Sequence, residues 1–284
     1  MQFQPPKDNA SSTNNVDLAV DVLIPTCCRK TPLAITLTSL TAQTHPPRNV
    51  IVSDQTEGDD YLDSPEIVSL SRVLHLRGSK LIGLKHVPRR GMAEQRHFLL
   101  SQSVSPYVLF VDDDLFLEPF VIEQMLQVIV AESCGFVGSA PIGLSYLKDV
   151  RPHEQAIELW SGPVQPEPIT WDTIPWDRHK LHNAANLFHV QSQLSPSKTV
   201  RYKVAWVGAC VMYDREKLLD IGGYSWWSEL PPEHCGEDVL VQLLLLRKYG
   251  GCGILPSGVY HLELPTQVAD RTHNTDDLIK RFLR

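Results

Sequence analysis

The sequence predicts an α/β protein built on a central, mostly parallel sheet flanked by helices, and three observations carry that prediction. First, residues 21–25 (DVLIP), 49–53 (NVIVS) and 107–111 (YVLFV) are short apolar, β-branched runs. Each ends at a polar or proline signal, as strands buried on both faces do. Second, residues 32–43 (PLAITLTSLTAQ) place apolar side chains at helical spacing between the first two runs. Strand, helix and strand make a βαβ unit, whose crossover is expected to be right-handed. Third, a strongly apolar helix starts near Asp238 and runs through VLVQLLLLRKY to a Gly250–Gly251 stop. Further helices are expected over 91–101 and 119–132, the second with Pro119 in its first turn.

The chain has 284 residues, 43% hydrophobic and 21% charged, enough to bury a substantial core in one large domain. A net charge of −7 argues against a nucleic-acid partner, which would need a basic footprint to neutralise phosphates. The six cysteines form no CxxC pair, and the adjacent Cys27 and Cys28 are poorly placed to bridge each other. A disulfide framework or zinc ribbon is therefore disfavoured, and a reducing, cytoplasmic setting is expected. No apolar run approaches the roughly 20 residues that span a bilayer. The longest, 239–246, contains Gln242 and meets Arg247. Any membrane contact would be peripheral, at the inner surface.

Residues 1–16 read as a disordered leader, 17–265 as one domain and 266–284 as a polar tail with room for a short helix. Between about 145 and 200 periodicity is weak. Prolines, Trp160, Trp171, Trp176 and four histidines point to loops and irregular strands. Regular structure is expected to resume over 204–213.

The first chemical signal is Asp112-Asp113-Asp114 directly after YVLFV. A strand that runs into consecutive carboxylates sets them at the carboxyl edge of the sheet, where α/β proteins bind ligands. Three unpaired carboxylates would repel one another. A hard divalent cation such as Mn²⁺ or Mg²⁺ removes that conflict; a plain charged loop is the alternative. The second signal is Gly236-Glu237-Asp238 at the start of the apolar helix. Helix capping alone would explain two acids there. The preceding Trp226, Trp227 and His234 would also suit an acceptor-sugar platform beside a general base, or simple core packing. The third is His261, after GVY, as a ligand from a distant segment.

From about residue 20 to 265 these motifs, in this order, resemble family 2 glycosyltransferases of the GT-A fold. IPTCCRKTPLAITLTSLTAQT is similar to the family's opening strand and helix, with Pro25, Thr26 and Arg29 at the nucleotide-facing turn. Asp54 matches the acid that meets base or ribose, and GMAEQR resembles the segment that sets Arg96 near the diphosphate. Asp112–Asp114 resemble the DxD metal motif, and GACVMYDREKLLDIGGY the strand, helix and turn before the acceptor loop. Glu237-Asp238 resemble the ED pair whose aspartate is the usual base, and His261 falls at a late metal ligand. The chain departs from the pattern at Cys28, at His97 and at Gln55-Thr56-Glu57 after Asp54.

The resemblance implies a nucleotide-sugar-binding half, 17–118, and an acceptor-side half, 119–265. It further implies an inverting single displacement from a nucleotide diphosphate-sugar, with UDP-sugar as the default. The acceptor hydroxyl would sit on a saccharide, a lipid-linked saccharide or a small molecule. Asp238 would be the base and Glu237 would orient the acceptor. Asp114, Asp112 and His261 would hold the metal, while Pro25, Thr26, Arg29, Asp54, Arg96, Asp112 and Asp113 would contact the donor. One rival is a haloacid-dehalogenase-like phosphatase with Asp112 as nucleophile and Asp114 as acid/base, although its motif normally lies near the chain start. A non-catalytic sugar-binding protein of the same fold is another.

Overall fold

A computed structural model describes residues 17–58, 61–194, 198–267 and 272–283. The expected leader, 1–16, lies outside the described residues. An eight-stranded sheet runs through the molecule. Its first four strands in space are all parallel: β3 (Lys80–Lys85), β2 (Asn49–Asp54), β1 (Val20–Thr26) and β4 (Tyr107–Val111). The sheet continues beyond β4 through β8 (Cys210–Asp214), β6 (Phe136–Gly138), β9 (Gly251–Leu255) and β7 (Val200–Tyr202). Of these, β8 runs against β4 and β6, and β7 runs against β9. The architecture is the α/β fold with a mostly parallel central sheet that the strand pattern predicts.

Period-two alternation explains why the strands read as continuous apolar runs. Leu23, Ile51, Val108 and Phe110 face one core, while Val22, Ile24, Val50, Val52, Leu109 and Val111 face the other. The second core is closed by α1 (Lys30–Leu40), α2 (Pro65–Leu76) and α4 (Val121–Glu132). The first is closed by α3 (Met92–Ser101), α5 (Asn186–Leu194), α6 (Arg215–Asp220), α7 (Glu237–Tyr249) and α8 (Asp276–Phe282). Burying one such side chain is worth about 1.5–3 kcal/mol, so two filled faces hold the sheet from both sides.

Three details shape the site. The chain over 204–209 is irregular, and only Cys210–Asp214 pairs as a strand. Gln242, the one polar break in the α7 apolar run, is fully buried. Its amide accepts from Val207 N–H at 2.8 Å and donates to Val207 C=O at 2.7 Å, which straps the irregular stretch to the helix. A second, two-stranded sheet pairs β5 (Leu115–Leu117) antiparallel with β10 (Val259–His261). Its register sets His261 opposite Leu115, and hence beside Asp114. Over 145–200 there are 3-10 turns at Pro152–Glu154 and Ile174–His182, then α5 and the edge strand β7.

Candidate active site

Thr26 of β1, Asp54 of β2 and Lys85 of β3 lie level at the carboxyl ends of their strands. Above that edge opens a cavity of about 730 Å³. Of the residues singled out by sequence, Pro25, Thr26, Arg29, Asp112, Asp113, Asp114, His234 and His261 line it. Asp54, Arg96, Glu237, Asp238, Trp226 and Trp227 are not in its wall.

Two guanidiniums organise the acids. Arg29 donates through Nη1 to Asp113 at 3.1 Å and Asp114 at 2.7 Å, and through Nη2 to the Pro265 carbonyl at 2.7 Å. Thr26 Oγ1 donates to the other Asp113 oxygen at 2.6 Å. Arg96, from α3, donates through Nη2 to Asp112 and through Nε to Glu237, each at 3.2 Å, and lies 5.5 Å from the Phe110 ring centre. Arg96 thereby joins the end of β4 to the start of α7, although Asp112 and Glu237 are 125 positions apart (237 − 112). Burial works against the Arg96 charge, but Asp112 and Glu237 outweigh it and hold the proton more firmly than usual.

The α7 start differs between its two acids. Glu237 is buried and spent on Arg96. Asp238 is half-buried; Oδ1 accepts from Val239 N–H at 2.9 Å, and Oδ2 receives no hydrogen bond among the described residues. Burial and the neighbouring Glu237 raise the Asp238 pKa to about 6. The helix can begin there because Gly236 adopts φ +86°, and a Cβ at that position would meet Thr275 Oγ1 at 2.8 Å. Trp206, which the sequence reading passed over, borders Gly208 on the same side as Asp238. A Cβ on Gly208 would lie 3.5 Å from the Trp206 ring and 4.0 Å from Asp238 Oδ2, and His179 stacks on the Trp206 ring with centres 6.1 Å apart.

The charge balance bears on a divalent metal. Among the described residues, the cluster of Asp112, Asp113, Asp114, Glu237 and Asp238 has two guanidiniums, Arg29 on Asp113 and Asp114 and Arg96 on Asp112 and Glu237. Burial pushes Asp113 up to about 6, with Thr26 and Arg29 pulling it back, and raises Asp112 although 34% of its side chain stays exposed. That excess of hard carboxylate oxygens fits Mn²⁺ or Mg²⁺. His261 fits less directly. Its Nδ1 accepts from Glu263 N–H at 2.7 Å, so a neutral ring carries its proton on Nε2, the atom 3.7 Å from Asp114 Oδ1. A metal-bound histidine instead donates from its second nitrogen, which would require this ring to turn over. Among the described residues, no three His, Cys, Asp or Glu side chains are gathered as a ready-made chelate.

The proposed acceptor residues are largely committed to structure. Trp226 is buried and donates Nε1–H to the Gly223 carbonyl at 3.1 Å, and Trp227 is half-buried against the same core. His234 pairs Nδ1 with the Pro231 carbonyl at 2.7 Å, while its Nε2 accepts from Ala93 N–H at 3.1 Å in the first turn of α3. Burial lowers its pKa, which keeps it in the neutral form that this arrangement needs. Gly91, at φ +102°, leaves the room: a Cβ there would lie 2.5 Å from the His234 ring.

Asp54 is also occupied. Its carboxylate is fully buried and accepts from Thr56 N–H at 2.8 Å, Tyr61 O–H at 3.0 Å and Lys85 Nζ at 2.9 Å. The neighbouring Gln55 lines the cavity in its place, together with Arg89, Met92 and Gln95. Arg89 has no carboxylate partner among the described residues, unlike Arg29 and Arg96. Only the departure from the family pattern after Asp54 drew attention to Gln55.

Residues 21–193 match the model of glycosyl transferase family 2. The chain belongs to that family. Its membership removes the footing of the phosphatase reading, which rested on Asp112 and Asp114 alone. The match ends before Glu237-Asp238 and His261. The fold of this family 2 chain is similar to the crystal structure of Staphylococcus aureus TarS 1–349 in complex with UDP-GlcNAc. That likeness has a TM-score of 0.58 at 16% identity and covers 93% of this chain and 65% of the other. The UDP complex of the same protein gives a TM-score of 0.53 at 16% identity, over 93% and 64%. The chain thus spans less than two thirds of the TarS 1–349 structures it resembles, and at such identity the likeness concerns the GT-A fold. No curated protein matches the sequence. No helix among the described residues is long and apolar enough to cross a membrane.

Proposed function

We propose that this chain transfers a sugar from a nucleotide diphosphate-sugar, UDP-sugar by default, to an acceptor hydroxyl with inversion at the anomeric carbon. The observation that carries the reading is the stitch made by Arg96, which brings the carboxylates after β4 within one guanidinium of the acids that open α7. A donor seated on Asp112–Asp114 therefore has a carboxylate of α7 close to its reacting end.

Asp238 is the base. Among the described residues one of its oxygens has no protein partner, whereas Glu237 is consumed by Arg96 and serves to hold the helix start in place. Asp238 takes the acceptor proton as that oxygen attacks the anomeric carbon; the bond to the diphosphate breaks on the opposite face. Asp114 and Asp112 would hold Mn²⁺ or Mg²⁺, with His261 adjacent. When bound, the cation supplies neutralising charge for the leaving diphosphate. Arg89, the cavity guanidinium that has no carboxylate partner among the described residues, binds donor phosphate oxygens. Pro25, Thr26 and Arg29 form the turn against which the nucleotide lies. The acceptor is a saccharide, a lipid-linked saccharide or a small molecule, and Trp206 with His179 offers it an apolar wall beside Asp238.

The test is Asp238→Asn. Sugar transfer should fall by roughly a thousandfold or more, as loss of a required base does, while UDP affinity by calorimetry stays within about threefold of the parent. Retained transfer, or lost nucleotide binding, would remove Asp238 from the base role.

A further inference from the structure

After β10 the chain continues through residues 262–267 as a strap along the cavity, and the reaction scheme above gives this strap no part. Its root is pinned. Leu262 N–H bonds the Asp114 carbonyl at 2.9 Å, Glu263 N–H bonds His261 Nδ1 at 2.7 Å, and Glu263 Oε1 accepts from Ser145 N–H at 2.9 Å. Glu263 has φ +58°, so the chain turns sharply there. Beyond that turn Leu264, Thr266 and Gln267 form part of the cavity wall. Two contacts fasten this stretch to the turn after β1. Arg29 Nη2 donates to the Pro265 carbonyl at 2.7 Å, and Gln267 Nε2 donates to the Cys27 carbonyl.

The Arg29 contact is one that charge can undo. Its Nη1 bridges Asp113 Oδ1 and Asp114 Oδ2, at 3.1 and 2.7 Å, while its Nη2 holds the strap. A guanidinium is one rigid plane, so its two terminal nitrogens move together. Whatever draws Nη1 off the acids therefore draws Nη2 off Pro265. The two acids depend on Arg29 unequally. Thr26 Oγ1 also donates to Asp113, whereas Asp114 Oδ2 has Arg29 as its one donor among the described residues.

We propose that Arg29 is a built-in counter-ion for these acids, and that a divalent cation arriving on Asp114 displaces it and so unlatches the strap. A dication brings twice the charge of the guanidinium to Asp114, and Arg29, at the cavity wall, has open space to turn into. Release frees the side of the cavity walled by Leu264, Thr266 and Gln267, so the cation prepares entry of the diphosphate. The inference rests on the cation of the reading above and deepens it, by coupling that cation to a moving wall. Arg29 acts on the acids and the strap, and no bond made or broken in the transfer involves it.

The experiment uses the full chain and two probes. Mn²⁺, alone and with UDP present, is titrated by calorimetry; Mg²⁺, its diamagnetic counterpart, is followed by methyl NMR of leucine-labelled protein, in which Leu264 reports the strap. Arg29→Met removes the competitor, so Mn²⁺ alone should bind roughly tenfold or more tightly than to the parent, the worth of a hydrogen bond to a charged group. In the parent, saturating Mg²⁺ should move the Leu264 methyl signals toward their position in Arg29→Met, where the ion should have little further effect. Gln267→Ala loosens the strap without touching the acids, and it covers the case in which Arg29→Met folds poorly. By reciprocity it should tighten Mn²⁺ binding too, by about two- to fivefold. Unchanged or weaker Mn²⁺ binding in Arg29→Met, or Leu264 methyls indifferent to Mg²⁺ in the parent, overturns the latch and leaves the transferase reading standing. No binding of Mn²⁺ to the parent or either variant, alone or with UDP, overturns the latch together with the cation of that reading.

Discussion

The two arginines of the site hold acids in different ways. The Arg96 side chain is 6% exposed and joins carboxylates from two distant segments over an aromatic ring. The Arg29 side chain is 16% exposed and grips two adjacent aspartates at the cavity wall, with a loop carbonyl as its third partner. Arg96 is therefore part of the architecture, since its removal leaves Asp112 and Glu237 without the cation they share. Arg29 sits where a ligand can reach it, on the carboxylates that a metal would need. A cation on Asp114 would compete with Arg29, whereas on Asp112 it would find Oδ2 without a donor among the described residues, since Arg96 holds Oδ1.

The largest effect should come from breaking the first knot. Arg96→Met leaves two crowded carboxylates without their cation, and unfolding in urea should show a loss of about 3–5 kcal/mol. Arg29→Met removes a cation that is itself more exposed, although Asp113 and Asp114 are buried, and should cost less, about 1–3 kcal/mol, because Thr26 still donates to Asp113. Equal losses in the two variants would break the comparison. Loss of stability from Arg29→Met alone would reverse it.

A smaller effect, readable as a pH profile, sharpens the contrast between Glu237 and Asp238. With its pKa raised to about 6 by burial and by Glu237, Asp238 becomes a base only as pH rises through that value. Transfer should climb between pH 5 and 7 with a midpoint near 6. The stability sign runs the other way. A carboxyl whose folded pKa is raised contributes fully below its ordinary value of 3.8 and loses that contribution as pH rises through about 6. Asp238→Asn does not titrate, so relative to it the parent should weaken by on the order of 1 kcal/mol from pH 4 to pH 7, less than the full shift because Asp238 is half-exposed. A midpoint near 4 in transfer, with no such drift in stability, would show that Glu237 does not crowd it.

Much of the fold was legible because the strands that carry the site are buried on both faces. β1, β2, β4 and α7 lie within a residue or two of where apolar runs and turn signals set them. α2 and β3 were passed over. Only Ile67 and Leu74 of α2 are buried, and β3 is an edge strand with a partly exposed, Gly-containing sequence. The placement of the acids at the end of β4 and the start of α7 was also legible, since strand ends and helix starts are local signals. Their joining through Arg96 was not, because it depends on tertiary packing of α3 between them. Trp226 and Trp227 show the same limit: an aromatic pair has no local mark that tells core from cavity. Gln55 was hidden by its neighbour. Alternation at a strand end turns successive side chains opposite ways, so Asp54 points into the protein where Gln55 meets the cavity.

The most direct test of the central claim is calorimetry of UDP binding with and without Mn²⁺, on the parent and on Asp114→Ala. Binding that requires the metal and weakens by about tenfold or more in the variant is the predicted result. UDP affinity that is indifferent both to Mn²⁺ and to the loss of Asp114 would contradict a metal-assisted donor site on these carboxylates.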